Sequence, residues 1–157
     1  MSETFGFEFR PELYYSKDHV WVKIEADGNA RVGFDDIVAK GAHEIFFIKV
    51  SPVGSKAQQN GGKLGIIESR KYTGPIVTPL TCEIIEVNEI VRRTGAAGFQ
   101  HHPYDDGWLC IIKPSNLEAE MKNLMHGDVA LSWFKKEAEP LADEAQYFKD
   151  MHKEYKE

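Results

Sequence analysis

The chain has 157 residues, 42% of them hydrophobic and 28% charged, which suits one compact globular domain with trimmings and excludes a fibrous, disordered or membrane-embedded chain. A formal net charge of −6, with no cationic cluster anywhere along the chain, argues against a nucleic-acid partner, because phosphate binding needs a cationic surface. The two cysteines, Cys82 and Cys110, do not make a secreted disulfide framework. No cationic segment followed by an apolar run opens the chain, and no apolar stretch reaches membrane-spanning length, so the expectation is a cytoplasmic protein with no membrane partner.

Residues 1–13, with Pro11, read as an irregular lead. Val20 to Ile24 is rich in β-branched and aromatic residues, as strands are. Asp27-Gly28-Asn29 is a hairpin turn, and Ala30 to Phe34 is the returning strand. Asp35 to Ala42 is a short helix with Asp35 as N-cap. Glu44 to Val50 is a strand, Ser51 to Gly54 a turn, and Lys63 to Ser69 a further strand. Ile76 to Thr78 begins the next strand, Cys82 to Val87 continues the pattern, and Trp108 to Ile112 is the last strand.

After Pro114 the period changes from two to that of a helix. Ser115 and Glu118 are spaced as a capping box ahead of a helix that carries Leu117, Met121, Leu124 and Met125 on one face. Asp128 is placed to cap a second helix with Val129, Leu131, Trp133 and Phe134, and Pro140 interrupts it. Leu141 to Glu157 is a charged third helix or tail, with Ala145, Phe148, Met151 and His152 on its weakly apolar face. Many short strands followed by helices indicate a mainly β barrel or sandwich with C-terminal α-helices. The strands fall into groups before and after about residue 72, compatible with hairpin-rich halves facing each other.

The stretch from Leu64 to Pro79 holds an apolar strand, a polar tip and a second apolar strand. Residues at such a tip cannot face the core, so Lys71 points into solvent. Taken alone, it is a solvated turn lysine.

The surrounding residues carry more. Gly65, Glu68, Ser69 and Lys71 resemble the lipoyl-attachment pattern G-x-x-E-S-x-K of glycine-cleavage H proteins. Tyr15 to Val22 resembles that family's opening Y-x-x-x-H-E-W-V. Ile84 to Asn88 resembles its E-V-N strand, and Pro103 to Leu109 with Ile112-Lys113-Pro114 its P-Y-x-x-G-W-L and I-K-P. These motifs stand in the family's order over roughly residues 14–135. The resemblance implies a barrel-sandwich hybrid of the lipoyl/biotinyl hammerhead type over 14–135, with residues 136–157 as a charged helical extension. It implies a non-catalytic carrier whose lipoate is covalently bound on Lys71, with Glu68 and Ser69 read by a lipoate-attaching ligase. Arg70 and Tyr72 flank Lys71 where a biotin carrier has Met, which disfavours biotin.

A carrier lysine acylated by lipoate presents a long neutral stem whose dithiolane carries a fragment between active sites, and a turn on a rigid β scaffold offers that stem to several partners. In the H-protein family the loaded arm holds a cationic aminomethyl group, sheltered by acidic residues. Val20 and Pro75 occupy two of those acidic places here, and removing the partners of a sheltered cation is costly; Asp18 compensates in part. Cys82 and Cys110 also stand where the family usually has Gly and an aliphatic residue, and the extension past Pro140 exceeds the usual end. In these features the chain resembles the lipoate-binding proteins of the heterodisulfide-reductase-like sulfur-oxidation system. The implied partners are then that complex and the ligase, met transiently by a monomeric shuttle. The alternatives are the H protein of glycine cleavage and an unlipoylated H-like binding module.

His19 matches the family's histidine beside the arm cleft, and lines that cleft with Asp18 or packs beside Trp21. Cys110 is placed on a core strand, where a cysteine acts as a small hydrophobe. Cys82, at a turn-to-strand junction, is the more exposed candidate for a redox role. Adjacent His101 and His102 point in different directions without a partner at ligand spacing, so no metal site is expected. No nucleophile–base pair or phosphate-binding loop appears.

Overall fold

A computed structural model describes residues 4–94 and 99–151 of the chain. Strands β1 (Tyr14–Tyr15), β2 (Val20–Ile24) and β3 (Ala30–Phe34) lead into helix α1 (Asp36–Gly41). Strands β4 (Ile45–Val50), β5 (Lys56–Ala57), β6 (Lys63–Ser69), β7 (Thr73–Val77) and β8 (Cys82–Val87) follow, then helix α2 (Glu89–Thr94) and strand β9 (Cys110–Pro114). The chain closes with helices α3 (Leu117–Met121) and α4 (Gly127–Ala138), a 3₁₀ turn at Glu139–Leu141, and α5 (Ala142–Met151).

The strands form a six-stranded sheet in the order β1-β2-β3-β9-β8-β5 and a three-stranded sheet in the order β4-β6-β7. Every pairing is antiparallel. This is the expected mainly β barrel-sandwich hybrid with C-terminal helices. The sheets do not divide at residue 72: β9, from late in the chain, sits between β3 and β8. One core lies among Val20, Val32, Leu64, Ile76, Ile84 and Ile112. A second, more aromatic core gathers Phe7, Tyr15, Trp21, Tyr104 and Phe134. The close approach of β2 and β3 depends on Gly33, where an added Cβ would lie 2.8 Å from the Trp21 ring, a separation only a shift of the indole could relieve.

Local chemistry places several elements as read. Asp35 accepts hydrogen bonds from the N–H groups of Ile37 and Val38 and so caps α1. Gly28 turns the β2–β3 hairpin at φ +89°. Three readings are corrected. β7 begins at Thr73 rather than Ile76, because it is an edge strand and Pro75, paired with Ile66, needs to donate no ladder hydrogen bond. β9 begins at Cys110, since the Trp108 carbonyl is taken by the Asn88 side chain at 2.7 Å. The capping roles given to Ser115 and Asp128 are not used: α3 starts after Asn116 and α4 after His126, and neither cap makes a side-chain hydrogen bond. His126 stacks on Tyr14 and bonds the Leu13 carbonyl instead. β5 and α2 lay outside the sequence reading.

The lead is more than an appendage, for Phe7 and Leu13 are buried. Tyr104 donates to the Glu8 carbonyl at 2.6 Å, and the Glu8 N–H donates to Asp36 at 2.7 Å. Burial pushes the Asp36 carboxyl up, against the pull of the Lys40 ammonium at 2.5 Å. The segment after residue 135 is also packed: Ala145 and Phe148 are buried, and Lys40 lies over the Phe148 ring. His152 and the end of the expected helix, like residues 1–3 of the lead, lie outside the described residues.

Candidate functional site

The β6–β7 turn is closed by its own residues. The Ser69 N–H donates to the Tyr72 carbonyl at 2.7 Å, and the Ser69 hydroxyl both accepts from the Tyr72 N–H and donates to the Tyr72 carbonyl, each at 2.9 Å. Ser69 is therefore buried, at 6% exposure, and its hydroxyl shapes the turn. Arg70 is tied outward, through its N–H to the Glu44 carbonyl at 2.8 Å and its guanidinium to the Glu44 carboxylate at 2.6 Å. Lys71 stands at the tip, with 47% of its side chain exposed and Nζ 3.3 Å from Glu144 of α5.

Glu68 is exposed on β6, between Phe47 and Thr73 in the ladder. The cations beside it pair elsewhere, Arg70 with Glu44 and Lys71 with Glu144. Charge balance with those neighbours is thus not what Glu68 does, and its carboxylate makes no ion pair among the described residues.

A cleft of about 280 Å³ lies next to the turn, with Tyr72 and Pro75 in its wall. Phe34, Val38 and Val77 give it apolar surface; Lys17, Asp18, His19 and Glu137 give it charge. It is at the small end of the range for ligand clefts. His19 enters it from a left-handed backbone, φ +67°, a conformation histidine tolerates better than most residues. Its ring is fully committed: Nδ1 lies 2.8 Å from Asp35 and Nε2 2.9 Å from Glu137. The ring packs 4.9 Å from that of Trp133, not against Trp21, whose indole N–H donates to the Pro103 carbonyl. Burial opposes protonation of His19, but the two carboxylates outweigh it and raise its pKa to about 9. His19 is an imidazolium at neutral pH, held between Asp35 and Glu137. Asp18, also on the cleft wall, is exposed and makes no ion pair among the described residues.

Of the residues the sequence points to, Lys71 and Glu68 lie at the β6–β7 turn, and Asp18 and His19 line one cleft beside it. Glu137 and Glu144 join them from the C-terminal helices, and Asp35 bonds His19 besides capping α1. Glu137 is 118 residues from His19 and Glu144 is 73 from Lys71; neither carries a local signal. The redox role considered for Cys82 and Cys110 is corrected. Both thiols are buried and free, and burial pushes both pKa values up, which disfavours the reactive thiolate. Cys82 is no more available than Cys110, because its Sγ sits against the Thr78 hydroxyl within the core. Among the described residues no group of three or more His, Cys, Asp or Glu is placed to hold a metal ion.

The comparisons with known proteins bear on the whole of this arrangement. The model of the glycine cleavage H-protein family matches residues 13–149. The chain belongs to the glycine cleavage H-protein family. It is 34% identical over 128 residues to a probable glycine cleavage system H protein of Thermococcus gammatolerans, covering 82% of this chain and 93% of the relative. It is 33% identical over 136 residues to glycine cleavage system H protein 2 of Aquifex aeolicus, covering 86% and 83%. The crystal structure of a glycine cleavage system H protein from Mycobacterium marinum superposes with a TM-score of 0.62 at 27% identity, over 68% of this chain and 87% of that one. Members of the family are non-catalytic carriers that bind lipoate covalently on a lysine and meet their enzyme partners, a lipoate ligase among them, transiently. The site fits that group: an exposed amine at a rigid turn, beside a cleft with apolar wall. No helix among the described residues is long and apolar enough to cross a membrane.

Proposed function

We propose that Lys71 is the lysine that takes the lipoyl group, that Glu68 is the acidic residue its ligase reads, and that the carrier serves a sulfur-oxidation system with a sulfur-containing load. When bound, the group supplies a dithiolane that opens to two thiols. The chain's own residues present and shelter it. The Ser69–Tyr72 bonds fix where the Lys71 stem leaves the turn, and the neighbouring cleft offers Phe34, Val38 and Pro75 to an apolar arm.

The observation that carries the choice of load is the chemistry of that cleft. Val20 is fully buried in the core, and Pro75 lines the cleft without charge. Glu137 brings a carboxylate, but protonated His19 already holds it at 2.9 Å. An ammonium brought into the cleft would have to compete with an existing cation for Glu137, and the remaining cleft carboxylate, Asp18, is exposed to solvent, where an ion pair contributes little. A sulfur-containing fragment has no such need.

A second reading, service in glycine cleavage, is favoured by the names of the relatives and by Asp18, the cleft carboxylate that pairs with nothing among the described residues. Incubation of the lipoylated protein, its dithiolane oxidised so that the S–S bond can open as the aminomethyl group is taken up, with glycine and a glycine decarboxylase P protein separates the two. The sulfur reading expects little or no aminomethyl mass gain on the arm; efficient loading that Asp18→Asn then reduces would establish the second reading instead.

A further inference from the structure

Helix α5 comes to the hairpin from the far end of the chain. Its Glu144 Oε1 lies 3.3 Å from Lys71 Nζ, and the Glu144 side chain is only 17% exposed. Lys71 is the one cation paired with it among the described residues. A turn further along the helix, Tyr147 stacks on His43, centroids 4.8 Å apart and planes 14° from parallel. His43 precedes Glu44, which holds Arg70. α5 therefore meets the acceptor turn twice, directly at Lys71 and through the His43–Glu44 segment that ties down Arg70.

We infer that Glu144 clasps the unacylated Lys71 amine, and that acylation releases the clasp, so that α5 differs between the bare and the lipoylated carrier. The inference rests on Lys71 being the acceptor. In acylation Nζ bonds to the carbonyl carbon of an activated acyl donor, the donor's leaving group departs with the electron pair of its bond, and the ammonium gives up two protons to solvent. A cation with three N–H donors becomes a neutral amide with one. Glu144 is then a mostly sheltered carboxylate without its cation, which weakens its hold on the turn. The helix itself survives, because Ala145 and Phe148 stay buried and the first turn of a helix favours an acidic residue. What changes is how tightly that first turn is held. The consequence is a surface that tells a loading enzyme from a ligase which form it meets, built from residues well apart in sequence from the attachment motif.

The test is amide hydrogen exchange over α5, read by mass spectrometry. The samples are unmodified protein, lipoylated protein of verified mass, Lys71→Gln, Glu144→Gln and the double variant. A partly sheltered ion pair predicts about two- to fivefold faster exchange in α5 on lipoylation and in each single variant, with β8 and β9 unchanged. The double variant should exchange no faster than either single one, since both remove the same contact. Equal α5 exchange in bare and lipoylated protein, or effects of the two substitutions that simply add, would overturn the clasp. A missing mass gain after ligase treatment would instead overturn the acceptor assignment, and with it release by acylation, whatever the variants do.

Discussion

At the Lys71 turn, Ser69 and Tyr72 bond each other across three residues. At the His19 cleft next to it, the ring nitrogens bond Asp35, 16 residues away, and Glu137, 118 residues away. The turn is closed by its own backbone and one hydroxyl, so it keeps its shape wherever β6 and β7 pair. The cleft is held from afar by ionisable groups, so it depends on the docking of α4 and on pH. One part of the site takes its shape from its own residues, with α5 and Glu44 holding only the side chains that leave it; the other takes its shape from groups far apart in the chain.

Removing an anchor of α4 should separate the two most sharply. Phe134 is fully buried against Phe9 and Tyr15, and Phe134→Ala should cost about 3–5 kcal/mol in urea unfolding. Its folded fraction should still be acylated at Lys71, because the turn is intact. Loss of acylation in proportion beyond the unfolded fraction would mean that the turn, too, depends on α4.

The next effect is a pH dependence that belongs to the cleft alone. Folding raises the His19 pKa from 6.5 to about 9. Its stabilisation is thus complete below pH 6.5 and is lost as pH rises to about 9, because the unfolded ring gives up its proton first. Unfolding free energy should fall over that window by up to about 3 kcal/mol. His19→Gln should flatten the fall, and Glu137→Gln should reduce it. A profile identical to wild type in His19→Gln would break the account of the cleft.

The smallest expected effect is at the turn. Ser69→Ala leaves the Tyr72 N–H without its acceptor and should cost about 1–2 kcal/mol. It should slow acylation of Lys71 by a ligase while leaving the pH profile of stability unchanged, which checks that the two parts are independent.

The same contrast explains what could be read from the chain. The hairpin, its tip lysine and the acidic Glu68 lie within a few residues of one another, so alternation and turn chemistry expose them directly, and so does the Asp35 cap. Glu137 and Glu144 reach the site only when α4 and α5 fold back over the sheets, and nothing near either residue announces that. Where local preference and tertiary contact competed, contact won. Ser115 and Asp128 have the chemistry of caps, but His126 docks on Tyr14 and Leu13 and sets where α4 begins. Pro75 has the chemistry of a strand breaker, but on an edge strand its missing N–H costs nothing. Cys82 stands at a strand start, but the turn before it packs inward and takes the thiol with it.

The claim on which the rest depends is that Lys71 carries the arm. Intact mass after co-expression with a lipoate ligase tests it: the wild type should gain one lipoyl group, Lys71→Ala none, and Glu68→Gln less than wild type at equal time. No gain on the wild type, or an equal gain on Lys71→Ala, would contradict it.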